Sequence, residues 1–142
     1  MAKKARYIIH DALKIIKVAG DEQDVEPVDS LRGMNVLNDM MSTFEEVYGI
    51  DVGFTEISSI DDDVDTTDGS IKYITSCLAA ELWMYYYNTD LPNPIIASAI
   101  RGKRGLLSLG TTPPTLQYGQ TLPTGSGNYN NTSYVFYPDE DE

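Results

Sequence analysis

The sequence predicts an all-α protein, a compact bundle of about four helices followed by a long extended C-terminal arm. Apolar residues recur at helical spacing in several segments before residue 110, and one of these segments is apolar on nearly all sides. From Thr111 the helical pattern stops, and residues 111–128 contain three of the chain's seven prolines. The expected division is a helical domain over residues 1–110 and an arm over residues 111–142.

The first helix is expected from about Lys4 to Val18. Its apolar stripe repeats at helical spacing, at Ile9, Ala12, Leu13 and Ile16. Lysines in the last turns suit the negative end of the helix dipole, and Gly20 is the expected stop.

A second helix is expected to open at Pro27, since proline is tolerated in a first turn, and to end near Gly49. Its apolar residues step by threes and fours, at Leu31, Met34, Leu37, Met41, Phe44 and Tyr48. Gly33 lies inside this helix, where the missing side chain favours a close crossing with another helix.

Two more helices follow a stretch of irregular chain. Alternation over residues 52–60 predicts a short strand or an extended loop, and residues 61–69 form an acidic loop rich in turn residues. The third helix, within residues 70–88, is apolar nearly all round and is therefore expected to be the central one. Pro94 opens a fourth helix, which Gly102 and Gly105 weaken. One face of this helix carries Ile96, Ala99, Ile100, Lys103 and Leu107.

The charge of the chain argues against a protein that grips nucleic acid. The formal net charge is −12, and between Val18 and Ser70 fifteen acids face a single base, Arg32. Phosphate binding needs clustered lysine and arginine, whereas an acidic surface lets DNA slide past without sticking. No run of about 18 apolar residues predicts a membrane span, and charged residues interrupt the N-terminal segment too early for a secretory signal.

No motif predicts an enzyme, a cofactor or a metal site. Asp61, Asp63 and Asp65 alternate as in a calcium loop, but Thr66 stands where that loop needs glycine and Lys72 where it needs glutamate. The only histidine, His10, has no second histidine with which to bind zinc. The only cysteine, Cys77, lies in the most apolar helix without an activating base, so it is expected to be a small buried side chain.

One basic cluster stands out, formed by Arg101, Lys103 and Arg104 on the fourth helix. In so acidic a chain we expect it to make an ionic contact with an acidic neighbour, and the acidic tail of another copy is a candidate. The C-terminal stretch is the other unusual feature, because it places an aromatic run after the turn-forming sequence PTGSGN, Pro123 to Asn128. If the run is extended, Tyr134 and Phe136 face one side and Val135 and Tyr137 the other, which suits strand addition to a neighbour.

These features together resemble one family. PTGSGN with its following aromatics and acids, the N-terminal ARYIIHDALKIIKVAG, and the later LNDMMSTF and SCLAAELWMYYYN are similar to the head-to-tail adaptor of short-tailed bacteriophages. That adaptor is also called the tail accessory factor or packaged-DNA stabilisation protein. The resemblance spans nearly the whole chain, and PTGSGN is its specific motif.

The resemblance implies a structural virion protein at the head–tail junction, assembled in the host cytoplasm. Twelve copies would form a ring beneath the portal protein, close the DNA-filled head and carry further tail proteins such as a nozzle, needle or fibres. Genomic DNA would pass through the ring without specific binding, and no membrane is involved. The arm would reach the portal or a neighbouring subunit through Leu122, Pro123, Thr124, Gly125, Ser126, Gly127, Asn128, Tyr129, Tyr134, Val135, Phe136 and Tyr137.

Two rival functions stay open at this point. An acidic protein can mimic DNA and inhibit a nucleic-acid-binding protein, but it would then act as a monomer or dimer and leave the C-terminal aromatics unexplained. A cell-wall lytic activity would need a pair of catalytic carboxylates, and the sequence does not single out such a pair among its 22 acids.

Overall fold

Four helices and one short strand pair make up the part of the chain that the structure, a computed structural model, describes, which is residues 2–111. The predicted all-α bundle is therefore confirmed. The predicted arm lies outside this range apart from Thr111. The elements in chain order are β1 Lys3–Lys4, α1 Ala5–Ile15, α2 Pro27–Tyr48, β2 Asp63–Val64, α3 Ile71–Tyr86 and α4 Asn93–Gly110.

Helix α1 is closed at its start by the acidic loop. The backbone N–H groups of Ala5 and Arg6 donate to the carbonyls of Asp62 and Ile60 at 3.0 and 2.9 Å, which satisfies donors that a helix start otherwise leaves unpaired. Just before them, β1 pairs antiparallel with β2. The only strand pair of residues 2–111 thus joins the N-terminus to the loop that the sequence analysis described as rich in turns.

The end of α1 differs from the expected stop at Gly20. The left-handed residue is Lys17, with a φ of 61°, and the Val18 N–H donates to the Leu13 carbonyl at 3.0 Å. This pattern closes the last turn about three residues early. The buried stripe of α1 nevertheless contains every residue that the spacing predicted, since Ile9, Ala12, Leu13 and Ile16 are all buried.

Helix α2 crosses α1 at Gly33, as the sequence favoured. Gly33 is buried, and a methyl group added there would collide with the side chain of Ile9. The two ends of the predicted stripe, Leu31 and Tyr48, are 54% and 42% exposed. That face is formed by Gly33, Val36, Leu37, Met40, Met41 and Phe44.

Residues 52–60 form an extended loop, the second of the two predicted alternatives. They form no strand, because their backbone is hydrogen-bonded by side chains and not by a partner strand. Asn38 on α2 donates from Nδ2 to the Ile57 carbonyl at 2.9 Å and accepts from the Ile57 N–H at 3.1 Å. Ile57 and Val52 are buried, so the loop contributes to the core.

Helix α3 is central, as its composition predicted. It contacts α1, α2 and α4, and it buries Ile74, Thr75, Cys77, Leu78, Ala79 and Leu82. Two aromatic residues at its end tie it to the other helices. The Tyr86 hydroxyl donates to Asp29 of α2 at 2.6 Å, and the Tyr87 hydroxyl donates to the carbonyl of Ile16 at 2.8 Å.

Helix α4 approaches α3 most closely at two glycines. A methyl group at Gly102 would lie 2.9 Å from the Tyr73 carbonyl oxygen, and one at Gly105 would lie 2.6 Å from the Tyr73 ring. The packing face is therefore the one with Gly102 and Leu106, both buried. Ile96 and Ile100, on the face that the spacing marked as apolar, stay 38% and 50% exposed.

We predict that Asn38→Ala loosens the extended loop. The substitution removes both hydrogen bonds to Ile57 and leaves a half-buried backbone group unpaired, which costs about 1–3 kcal/mol of unfolding free energy. Urea unfolding followed by circular dichroism measures the loss. Asn35→Ala, an exposed position of the same helix, is the control and should change stability by less than about 0.5 kcal/mol. Equal losses for the two variants would contradict this role of Asn38.

We also predict that Gly102→Ala destabilises the protein. Alanine gains about 1 kcal/mol of helix propensity over glycine, but the added methyl presses on the Tyr73 carbonyl, and overpacking costs about 1–3 kcal/mol. The same urea titration shows a net loss, while Ser108→Ala on the exposed side of α4 shows none. A stabilised Gly102→Ala variant would mean that α3 and α4 do not approach this closely.

Candidate interaction surfaces

The predicted basic cluster divides into two parts with different surroundings. Lys103 is half-buried, and its Nζ lies 3.5 Å from the centroid of the Tyr48 ring, a cation–π contact between α4 and the end of α2. Arg101 and Arg104 are exposed, and neither forms an ion pair or hydrogen bond with another residue of 2–111. The two arginines are thus the members of the cluster that are available to a partner.

A continuous exposed surface surrounds these arginines. Positions three, four, seven and eleven steps after Ala97 lie towards the same side of the helix, and on α4 all of them are exposed. We call this surface the α4 outer face; it consists of Ala97, Ile100, Arg101, Arg104 and Ser108. It combines one large aliphatic side chain with two cations, and it points away from the Gly102 face that packs on α3.

A groove of opposite character lies between α2 and α3. It has a volume of about 200 Å³ and no basic residue in its lining. We call it the acidic groove; its lining includes Val36, Asp39, Met40, Phe44, Glu81 and Tyr85. The apolar members of α2 are buried and form the floor, whereas the two acids and Tyr85 are exposed at the rim. No pattern in the sequence indicates this groove, because its residues come from two helices that share no motif.

The acidic loop is occupied by contacts within the fold. Arg6 reaches Asp61 at 2.6 Å, and Asp62 accepts hydrogen bonds from the backbone of Ser58 and Ser59 and from the Ser58 hydroxyl. The backbone hydrogen bonds, that of Ser59 foremost, hold the pKa of Asp62 below its ordinary value. These acids therefore organise the turn that closes the start of α1.

The lone cysteine and the lone histidine of the sequence lie at different places in the fold. Cys77 is buried at the contact of α3 with α4, and burial, together with nearby Glu81, raises the pKa of its thiol to about 11. His10 has its Nε2 buried without a partner among residues 2–111, beside a cavity of about 250 Å³ that Arg6 and Asp24 also line. A thiol with so high a pKa is protonated at neutral pH and is a poor nucleophile.

A second groove, of about 940 Å³, runs between α1 and the start of α3. Its exposed apolar members are Tyr7 and Ile15, which lie on α1 outside the buried stripe. Lys3 and Lys72 line it together with Asp11 and Asp63, so the groove carries both signs of charge. Lys3 and Asp11 already form an ion pair at 2.8 Å.

The predicted arm contacts fall outside the described residues. This holds for Leu122 to Tyr129 and for Tyr134 to Tyr137 alike. The apolar and aromatic residues at the end of α3 fall into a stacked pair and an exposed pair. Trp83 and Tyr87 stack with centroids 4.1 Å apart, whereas Met84 and Tyr85 are 65% and 61% exposed.

Open, charged surfaces on a small helical bundle are typical of a protein that works by binding other proteins. Comparison with known families gives this class a narrower identity. The model of the P22 tail accessory factor family matches residues 2–142, so the chain belongs to this family of short-tailed phages. It is a structural protein of the phage tail, a virion component that associates with other tail or virion proteins. A search of curated proteins found no match. Among residues 2–111, no helix is both long and apolar enough to span a membrane.

We predict that Cys77 is unreactive in the folded protein. A thiol-specific chromogenic reagent at pH 8 should label it far more slowly than it labels a small free thiol, because the side chain is buried and its pKa is about 11. The same reagent in denaturant should label one thiol per chain, since Cys77 is the only cysteine. Rapid labelling of the folded protein would contradict the close contact of α3 and α4.

Proposed function

We propose that this protein is the head-to-tail connector of its virion, forming a ring under the portal that closes the DNA-filled head and provides the platform for tail attachment. The observation that carries the proposal is the extent of the family match. It covers residues 2–142, and so includes both the helical bundle and the C-terminal segment with PTGSGN and the aromatic run. A connector needs both a compact body and a segment that engages a second protein.

The distribution of charge supports passage of DNA rather than binding of DNA. The chain carries 22 acids against 10 bases, and several of those bases are engaged within the fold. Lys3, Arg6 and Arg32 pair with acids, and Lys103 lies over Tyr48. A ring of such subunits offers phosphates few free cations, so genomic DNA moves through it without specific contacts.

The proposed role is structural and needs no cofactor. The raised pKa of the buried Cys77 thiol supports this view, because that side chain is the strongest nucleophile type in the chain. The partners are the portal protein, neighbouring copies in a ring of twelve, and further tail proteins such as a nozzle, needle or fibres. Assembly takes place in the host cytoplasm, and the position in the virion is the head–tail junction.

The arm supplies the proposed contact with the portal. In this proposal the contact residues are Leu122 to Tyr129 and Tyr134 to Tyr137, with the aromatic side chains as anchors. Aromatic side chains lose little conformational entropy on docking and dominate many interfaces.

Reconstitution with the portal protein of the same phage tests the proposal. Electron microscopy of the mixture should show a second ring stacked on the portal, while either protein alone does not. The variant Tyr134→Ala/Phe136→Ala should weaken binding about tenfold or more, because it removes two anchors on one side of the extended segment.

The matched control changes two polar residues of the same segment, Asn130→Ala/Asn131→Ala, and should bind nearly normally. A chain that ends at Thr121 should lose portal binding while its helical circular dichroism is unchanged. Full binding by the shortened chain would refute the role of the arm. Absence of any portal complex with the intact chain would refute the connector function itself.

A further inference from the structure

The α4 outer face and the acidic groove are complementary in charge and in shape. The outer face presents Arg101 and Arg104, which have no partner among residues 2–111, next to the exposed Ile100. The groove presents Asp39 and Glu81 above an apolar floor and has no base in its lining. Each surface thus lacks the charge that the other carries.

The size of the groove suits the side chain next to the two arginines. Its volume is about 200 Å³, and an apolar cavity of about 150 Å³ is enough to hold a benzene molecule. Ile100 is half exposed and lies one and four positions before the two arginines, so it can enter the groove while the arginines reach the rim. Tyr85, which is 61% exposed at that rim, offers its ring face to a guanidinium group.

The two surfaces of one chain cannot meet each other. Helix α4 packs on α3 through Gly102 and Leu106, so its outer face points away from α3 and from the groove that α3 helps to form. The partner that carries the complementary surface is therefore a second copy of the chain. Since the contact joins two different surfaces, it repeats head to tail, which is the kind of contact that builds a closed ring.

We propose that the α4 outer face of one subunit docks in the acidic groove of the next, with Ile100 in the groove and Arg101 and Arg104 paired with Asp39 and Glu81. This assignment rests on the ring of the proposed connector and identifies the surfaces that form it. It uses only residues of the helical bundle. The contact with the portal and the contact between subunits are thereby assigned to different parts of the chain.

Cross-linking of cysteine variants of the full-length chain tests the contact. Ala97→Cys marks the outer face and leaves Ile100 in place, and Thr43→Cys marks the groove, which Thr43 also lines. With a short bis-maleimide at high protein concentration, a mixture of the two single variants should give a dimer. The double variant should give a ladder of higher oligomers, because each copy then carries both marks. The wild-type chain should give none, since Cys77 is buried.

Charge reversal then tests the pairing. In the double-cysteine chain, Arg101→Glu/Arg104→Glu should lower the yield of the ladder about tenfold or more, because like charges then face each other. Adding Asp39→Lys/Glu81→Lys should restore the yield. Lys14→Glu/Lys72→Glu makes the same change in net charge on other parts of the bundle and should leave the ladder intact. Circular dichroism checks that each variant keeps its helices.

Several results would overturn the assignment. They are the lack of a ladder from the double-cysteine chain, a ladder that survives charge reversal, and a dimer formed by Ala97→Cys alone, which would indicate a symmetric contact. Neutralising Asp139–Glu142 to the amides in the intact chain addresses another occupant. Loss of the ladder in that variant would assign the arginines to the acidic C-terminus instead.

Failure of this contact is distinguishable from failure of the connector function. The cross-linking contains no portal protein, and portal binding is measured on the same variants without the cross-linker. A ladder without portal binding would reject the connector and keep the contact between copies. Portal binding by a chain that gives no ladder would reject only the contact.

Discussion

The need to shield the buried residues of α3 from water is the constraint on which the rest of the described structure depends. They spread over more than half of its circumference, so no single partner helix can shield them. Helices α1 and α2 cover one part and cross each other closely at Gly33 in doing so. Helix α4 covers another part, and its glycine face packs closely against Tyr73. Ile96 and Ile100 of α4 remain exposed.

This division explains why the surfaces of the bundle are unlike its core. A helix that packs through glycine and one buried leucine keeps its large side chains free, and here two of them are arginines beside Ile100. Between α2 and α3, the acidic groove has an apolar floor and an exposed rim of two acids and Tyr85. The packing that completes the core therefore leaves two exposed surfaces, the basic α4 outer face and the acidic groove. A protein that acts through assembly needs surfaces of this kind, and its family belongs to the phage tail.

Sequence patterns were sufficient for the helices and for the central place of α3, because both follow from the spacing of apolar residues along one segment. They failed where two distant segments decide the outcome. The strand pair joins Lys3–Lys4 to Asp63–Val64, and no local pattern marks such short partners. The exposed side of α4 was missed because Gly102 appears in a sequence as a weakness, whereas in the fold it is the point of closest approach. Arg101 and Arg104 were predicted as a contact site from charge alone, but the acidic groove has no signature in the sequence.

Helix α1 has only 11 residues, and a helix of that length is marginal in water by itself. Its first N–H groups are held by the carbonyls of Ile60 and Asp62, and its last turn receives the hydroxyl of Tyr87, 71 residues further along the chain. The ribosome makes α1 first, yet makes the atoms that close both its ends much later. Helix α1 is therefore synthesised before the other helices, but the hydrogen bonds at its two ends form only after most of the bundle has been synthesised.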